Sequence, residues 1–328
     1  MGARAGALEA ALAYSNVIFA GAVAVWLFNT LASVVRGTGN MLLPASVVLG
    51  GSPILVTLSP ALIFGWGPFP RLGVTGAAVA VVAYYAVGTL VFFAYLVSGR
   101  SLVRLSPWTV RFERALFRDI LRVGAPSLVN NIQTNLTIVL LTALVGSFGT
   151  FALAGYGMGV RLEYLQIPLV FGFGSALVTM VGTNFGAGQD ARARRVAWTG
   201  AAMAAGVTES IGLVAALFPH GWLALFSAEP DVLSTGATYL RIVGPTYGFF
   251  GLGLALYFAS QGAGRLRWPL VAGLSRLVVA AGGGWIAVRV LGGGLSSIFV
   301  VMALALALFG TVVTVALHQG AWRLRRTP

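Results

Sequence analysis

Two acidic side chains, Glu163 and Glu209, lie well inside long apolar runs of this sequence. An ionised carboxylate is costly in such surroundings, so each group is either functional, for example as a proton carrier, or fixed in an ion pair. Arg161 and Arg276 are the candidate partners. Arg161 is only two residues from Glu163 on one predicted helix, so it faces elsewhere and needs a different partner. The sequence leaves both alternatives open for each carboxylate.

A run of polar side chains interrupts the fourth apolar stretch. It consists of Asn130, Asn131, Gln133, Thr134 and Asn135. Positions 131 and 135 share one helix face, as do 130 and 134. The run predicts either a wet central cavity or hydrogen bonds between helices, and the sequence does not choose between them.

The remaining candidates surround these two features. Gln166 follows Glu163 by about one helical turn and should face the same region. Four tyrosines could offer aromatic faces to a cationic substrate: Tyr156, Tyr164, Tyr247 and Tyr257. The predicted ion-coupling and substrate site is therefore Glu163, Glu209, Asn131, Asn135, Gln166 and Tyr164.

Enzyme chemistry finds little support in the residue types. Cysteine is absent, so thiol, disulfide and cysteine–zinc chemistry are excluded. His220 and His318 are isolated, and the close acidic pair Glu229 and Asp231 is better explained by the start of a helix. We therefore expect no catalytic activity, no metal and no cofactor.

The elements that position these residues are predicted to be membrane helices. The chain has 328 residues, is 58% hydrophobic and only 9% charged, and has a mean hydropathy of +0.90. Apolar runs of about 20 residues are long enough to cross a bilayer as helices. We predict an all-α polytopic membrane protein with nine spans, at about 12–36, 42–64, 74–97, 122–147, 150–182, 197–220, 235–260, 269–290 and 294–320. The fifth run is over-long, and we expect Pro168 to kink it.

The basic side chains predict orientation. All 21 are arginines, and most fall in alternate loops on one side of the predicted spans. We therefore predict a multi-pass protein of the inner membrane. The positive-inside rule places those loops, the 98–121 segment and the C-terminus in the cytoplasm. The net charge of +13 is thus a topology signal, and we expect no nucleic-acid partner.

The chain repeats itself. Residues 36–40 (RGTGN) followed by Pro44 reappear 225 positions later as residues 261–265 (QGAGR) followed by Pro269. Six predicted spans separate the two motifs, so both copies should have the same polarity in the membrane. Four spans precede the second motif in its half and one precedes the first. We therefore expect a truncated form of a six-plus-six protein, with three helices missing from the N-terminal lobe.

Three stretches of the fifth span and its exit resemble the MATE (multidrug and toxic compound extrusion) family. They are residues 157–161 (GMGVR), Ile167-Pro168, and residues 181–188 (VGTNFGAG) with Arg192-Ala193 after them. Residues 182–188 also suit a helix exit, because glycine permits tight turning. Gly155 and Gly159 have the spacing that allows close helix contact.

The resemblance implies MATE-like parallel six-helix lobes and alternating access. The domains would be a partial N-terminal lobe at 1–100, a cytoplasmic linker at 101–121 and a C-terminal lobe at 122–328. It also implies antiport of organic cations or drugs against H⁺ or Na⁺ by a monomer in the lipid bilayer.

The chain departs from the family in its acids. Members use an acid on the first helix of the N-terminal lobe, which would be absent here, or acids on helices equivalent to the fourth and seventh spans. Neither of those spans has a carboxylate in its membrane part, so the coupling ion is open. The alternatives are a lipid-linked saccharide flippase of the same superfamily, which an arginine-rich cavity would favour, and a fragment without transport activity.

Overall fold

The computed structural model describes residues 5–104 and 113–322, and every regular element in those ranges is helical. The thirteen α-helices described are α1 Ala5–Ala20, α2 Ala22–Gly37, α3 Leu42–Phe64, α4 Val74–Val97, α5 Arg114–Gly146, α6 Thr150–Gly186, α7 Asp190–Leu217, α8 Pro219–Leu223, α9 Pro230–Val243, α10 Tyr247–Gly262, α11 Arg267–Leu277, α12 Gly284–Arg289 and α13 Leu295–His318. In the described ranges, eight spans are long and apolar enough to cross a membrane, or nine if α1 and α2 form one bent span. The chain is therefore an all-α, multi-span membrane protein.

The chain divides into two compact units, Met1–Arg111 and Phe112–Pro328. In the first unit, α1, α2 and α3 all pack on α4. Its small core joins Phe28 and Val35 of α2 to Phe92 and Leu96 of α4. Gly88 allows this approach, because a Cβ atom there would fall on the ring of Phe28.

In the second unit, α10 packs against α6, α7 and α13, and α9 packs along α6. The expected close contact at Gly155 and Gly159 is confirmed. A Cβ on Gly155 would lie 2.5 Å from the carbonyl oxygen of Val232, and one on Gly159 would overlap the ring of Tyr239. The glycines of α6 thus set the distance to α9.

The repeat is visible in the backbone. Helices α2 and α10 are both 16 residues long and end at Gly37 and Gly262, exactly the offset seen in the sequence. The following turns both use a glycine in the left-handed region, Gly39 with φ 87° and Gly264 with φ 65°. The next span begins at Leu42 in one copy and at Arg267 in the other, and ends at Phe64 and Arg289.

Both copies also break the span before this turn. The first copy bends by 49° at Gly21, where a Cβ would overlap the side chain of Val82. The second copy is interrupted by a 3₁₀ turn at Gly244–Thr246, where Pro245 has no N–H to donate. The sequence predicted neither break, and the first span predicted at 12–36 is divided between α1 and α2.

Other boundaries also differ from prediction. Helix α5 begins at Arg114, so residues 114–121 of the predicted linker are helical, while residues 105–112 lie outside the described ranges. Arginine and leucine are good helix formers, so the helix continues beyond its apolar part. Helix α6 is one element of 37 residues with Pro168 inside it, and it ends at Gly186, four residues later than predicted. A left-handed Gly188 (φ 71°) makes its exit turn.

Candidate functional site

Glu163 and Arg276 form an ion pair that joins α6 to α11. The Nη2 atom of Arg276 donates to Oε1 of Glu163 at 3.3 Å. The hydroxyl of Tyr239, on α9, donates to the other carboxylate oxygen at 3.3 Å. Glu163 is only 9% exposed. One carboxylate therefore links three helices that are far apart in sequence.

Of the two candidate arginines, Arg276 is the ion-pair partner of Glu163. Arg276 reaches Glu163, whereas Arg161 is exposed and lies over the ring of Phe226, with its Cζ 5.2 Å from the ring centroid. Successive positions on a helix point in different directions, which keeps Arg161 away from Glu163. The guanidinium of Arg276 also lies 5.8 Å from the centroids of Phe250 and Phe309. Two aromatic rings and a carboxylate thus hold it in place.

Two of the four candidate tyrosines, Tyr156 and Tyr247, belong to the core around this pair, and Tyr257 lines the cavity described below. Tyr156 and Tyr239 meet edge to face at 5.5 Å between ring centroids, and Tyr239 meets Phe299 at 5.3 Å. Tyr247 is fully buried in the same cluster. Tyr164 points elsewhere and is 43% exposed. These positions give Tyr156 and Tyr247 packing roles, because neither ring lines the cavity beside Arg276.

A cavity of about 480 Å³ opens beside Arg276, within the second unit. Its polar wall comes mainly from α5 and its aromatic wall from α6, α10 and α13. The lining residues are Ser127, Asn130, Asn131, Thr134, Thr137, Ile167, Phe171, Phe250, Leu254, Tyr257, Phe258, Gln261, Gly273, Arg276 and Phe309. Arg276 is the only charged side chain among these described residues.

The predicted polar run is divided between the cavity and its surroundings. Asn130, Asn131 and Thr134 line the cavity, which favours the wet-cavity interpretation over hydrogen bonds between helices. Asn135 does not line it, and its side-chain amide donates to the carbonyl oxygen of Asn131 at 2.9 Å. Gln133 instead faces α11, where a Cβ on Gly273 would lie 2.7 Å from its Oε1 atom.

Sequence reasoning missed part of this wall. Ser127 and Thr137 extend the stripe by one turn in each direction, at the spacings of three and seven residues that keep one helix face. Gln261 closes the wall from α10 by donating from Nε2 to Oγ of Ser127 at 3.1 Å. The spacing of Ser127 was visible in the sequence. No helical spacing pointed to Gln261, because the sequence analysis treated residues 261–265 only as a repeated turn.

Gln166 and Glu209 lie outside the lining. Gln166 is fully buried, with Nε2 at 3.4 Å from the carbonyl oxygen of Leu162. Glu209 accepts the backbone N–H of Gly248 at 2.7 Å, just inside the start of α10. The turn at Gly244–Thr246 leaves free N–H groups at that helix end, and a carboxylate stabilises them. This contact gives Glu209 the structural role of a cap.

Comparison with known proteins agrees with this architecture. The MatE family model matches residues 126–286, which cover α6 to α11, most of α5 and much of α12. A multidrug resistance MATE family transporter of the MOP superfamily, solved in an outward-facing conformation, superimposes with a TM-score of 0.91 at 22% identity. The match covers 100% of this chain and 73% of that one.

Over residues 126–286 the chain is similar to the MATE family. The FAD transporter of Shewanella oneidensis is 28% identical over 244 residues, which is 74% of this chain and 54% of that protein. The probable multidrug resistance protein NorM of Thermotoga maritima is 26% identical over 258 residues, which is 79% of this chain and 55% of that one. The chain therefore spans just over half the length of these curated relatives. The described MATE-like helices also confirm the predicted membrane setting.

The membrane part of α5 has no carboxylate, and its asparagines face the cavity instead. The relatives above are named as transporters, and in the described ranges no group of three metal-ligating side chains comes together. Glu229 is the residue before α9 and Asp231 lies in its first turn, as the helix-start interpretation expected, although no side-chain hydrogen bond caps that helix in the described residues.

Proposed function

We propose that this chain acts in a secondary active exporter of small organic molecules, working by alternating access in exchange for H⁺ or Na⁺. The observation that carries the proposal is the cavity of about 480 Å³ whose wall holds an amide and hydroxyl stripe and one end of a buried ion pair. Polar and charged groups within membrane spans are costly, and they mark substrate and ion pathways. The volume also falls within the range of small-molecule sites, about 300–1,000 Å³.

Glu163 is the candidate for ion coupling. Its carboxylate joins α6 to α11 through Arg276 and to α9 through Tyr239. A proton or Na⁺ at this carboxylate would compete with Arg276 and weaken the link between the helices. A ligand that interacts differently with two conformations shifts their populations, so ion binding here would favour one of them. The proposal includes H⁺ or Na⁺ as the coupling ion, a monomeric protein and a cytoplasmic C-terminus.

Two observations favour an exporter over a flippase for lipid-linked saccharides. The cavity has one arginine in its described lining, and Arg161 lies outside it over Phe226. The relatives include proteins named as a FAD transporter and as multidrug export proteins. A chain without transport activity is the remaining alternative, and it is an outcome of the experiment.

The test is dye accumulation in bacterial cells that lack their own multidrug exporters. Cells that express the chain should accumulate less of at least one organic dye than cells that express an Asn131→Leu, Thr134→Leu double variant, which fills the cavity with apolar side chains. A matched Arg161→Gln variant, outside the cavity, should behave like the unchanged chain. Equal accumulation with and without the chain, over a panel of anionic, neutral and cationic dyes, would contradict the exporter proposal.

Glu163→Gln tests coupling separately. It keeps the size and hydrogen-bonding shape of the side chain but removes its charge. Export that depends on a proton or sodium gradient in the unchanged chain should lose that dependence in Glu163→Gln. Unchanged gradient dependence would remove Glu163 from the coupling role.

A further inference from the structure

The charge in the cavity is positive. Among the described lining residues, Arg276 alone carries a charge, and its carboxylate partner Glu163 is not part of the lining. A molecule that enters the cavity therefore meets a guanidinium with the counter-charge behind it.

The guanidinium has donors to spare. Its described contact with Glu163 is a single hydrogen bond of 3.3 Å from Nη2, whereas the group carries five N–H donors in a planar fork. Phe250 and Phe309 hold the group by their faces, and both rings also line the cavity. A fork held in this way suits the bidentate recognition of a carboxylate or phosphate.

The rest of the wall suits the same ligand. The side chains of Asn130 and Asn131 bring amide groups to the cavity, and Phe171 and Phe258 supply apolar faces. The hydroxyl of Thr134 also lines the cavity, while its proton is donated to the carbonyl oxygen of Asn130 at 3.0 Å. A cationic ligand would find no carboxylate in the described lining. Two of the aromatic faces that it could use, Phe250 and Phe309, are already engaged by Arg276.

We infer that the cavity binds organic anions, namely flat apolar molecules that carry a carboxylate or phosphate group, with Arg276 as the specificity-determining residue. The inference rests on the proposed transport function and names its substrate class. It differs from the organic cations that the family resemblance implies. Glu163 would then tune the site by neutralising part of the charge of Arg276.

The experiment compares two dyes of similar shape and opposite charge, fluorescein and tetramethylrhodamine methyl ester. Both have a xanthene ring system, so differences in binding report the charge. Dissociation constants are measured by fluorescence anisotropy on the full-length chain purified in a neutral detergent. The unchanged chain should bind fluorescein at least about tenfold more tightly, the effect of one charge-assisted hydrogen bond.

Four variants isolate Arg276. The double variant Glu163→Gln, Arg276→Gln leaves a neutral pair, and it should lose about tenfold in fluorescein affinity without losing rhodamine affinity. Glu163→Gln alone should tighten fluorescein binding, because the guanidinium is no longer neutralised. Arg276→Lys should keep the preference for fluorescein with weaker binding, because it keeps the charge but loses the fork. Arg161→Gln, which removes an arginine outside the cavity, should change neither affinity.

Three outcomes would overturn the inference. The first is binding of the rhodamine that is as tight as binding of fluorescein, or tighter. The second is an affinity for fluorescein that neither the double variant nor Arg161→Gln changes. The third is no binding of either dye. Dye uptake into inverted membrane vesicles separates this failure from that of the transport proposal. Uptake of the rhodamine alone would leave the exporter standing without the anion site. Fluorescein binding through Arg276 without uptake of any dye would leave the anion site standing without the exporter.

Discussion

The same three-span pattern occurs twice in this chain, and within the described residues the two copies line different cavities. The first copy has a groove of about 280 Å³ between α3 and α4, lined by apolar side chains with Ser46, Tyr84 and several glycines. The second copy has the cavity around Arg276. The repeat offset of 225 residues places Gly51 at the position of Arg276. A Cβ atom on Gly51 would lie 2.5 Å from the ring of Tyr84, so the first copy uses this position for packing.

The difference follows from what each copy packs against. Glu163 on α6 and the polar stripe on α5 complete the second copy's site. The described part of the first unit contains α1 to α4 alone. In the second copy, the polar site therefore depends on helices outside the repeated pattern.

The two copies also differ in how the broken span, α1–α2 or α9–α10, packs against other helices. Gly244, Gly248 and Gly251 bring the second copy into close contact with α7. The equivalent positions in the first copy are Phe19, Val23 and Trp26, which are 77%, 69% and 73% exposed. Small residues permit close helix contact, and the large apolar side chains of the first copy do not permit the same approach.

The prediction with the largest expected effect concerns the duplication, and it is tested by the side of the membrane from which equivalent turns can be labelled. The chain has no cysteine, so Thr38→Cys and Ala263→Cys each introduce a single thiol at equivalent turns. A membrane-impermeant maleimide should modify both from the same side of the membrane, which the arginine pattern predicts to be the cytoplasm. Modification from opposite sides would break the comparison outright.

The second prediction concerns the ion pair. Glu163→Ala leaves Arg276 without its described carboxylate partner and should lower the stability of the fold by about 3 kcal/mol. That corresponds to a fall of roughly 6–12 °C in melting temperature, read by size-exclusion chromatography after heating. A Glu163→Met, Arg276→Met double variant should recover most of the loss, because it removes the unpaired charge. A double variant as unstable as the single one would contradict this account.

The third prediction compares the loss of stability caused by substitutions at equivalent positions of the two copies. Gly244→Ala would place a Cβ 2.6 Å from the backbone oxygen of Gly212, and backbone cannot move aside cheaply. We expect a loss of about 2 kcal/mol, or roughly 4–8 °C, by the same heating assay. Phe19→Ala, at the equivalent exposed position, should change stability by less than about 0.5 kcal/mol. Equal effects at the two positions would show that the two copies do not differ in packing as described.

The smallest effect is at the helix break. Glu209→Ala removes the acceptor for the N–H of Gly248 and should cost about 1 kcal/mol. Glu209→Gln keeps an oxygen acceptor and should cost less. Glu9→Ala, an exposed acid on α1, is the matched control and should have no measurable effect. A Glu209→Ala variant as stable as the control would remove the capping role.

Sequence alone predicted the number of spans, the repeat and the polar stripe, because apolar length, an exact offset and helical spacing are local signals. It left the partner of Glu163 open, because Arg276 is 113 residues away and reaches it only through the packing of α11 near α6. The bend at Gly21 was missed for a similar reason, since it coincides with a contact to Val82 on another helix. Tyr156 and Tyr247 were candidates for substrate contact because composition cannot distinguish a buried ring from a cavity wall.

The most direct test of the central claim is the charge selectivity of a thiol in each groove. Thr134→Cys places one thiol in the Arg276 cavity, and Ser46→Cys places one in the apolar groove of the first copy. The rates of reaction with an anionic and a cationic methanethiosulfonate of similar size are compared with those of a free thiol. At position 134 the anionic reagent should be favoured by about tenfold, and Glu163→Gln with Arg276→Gln should abolish that preference, while position 46 shows none. A preference for the cationic reagent at position 134, or one that survives the loss of Arg276, would contradict the account.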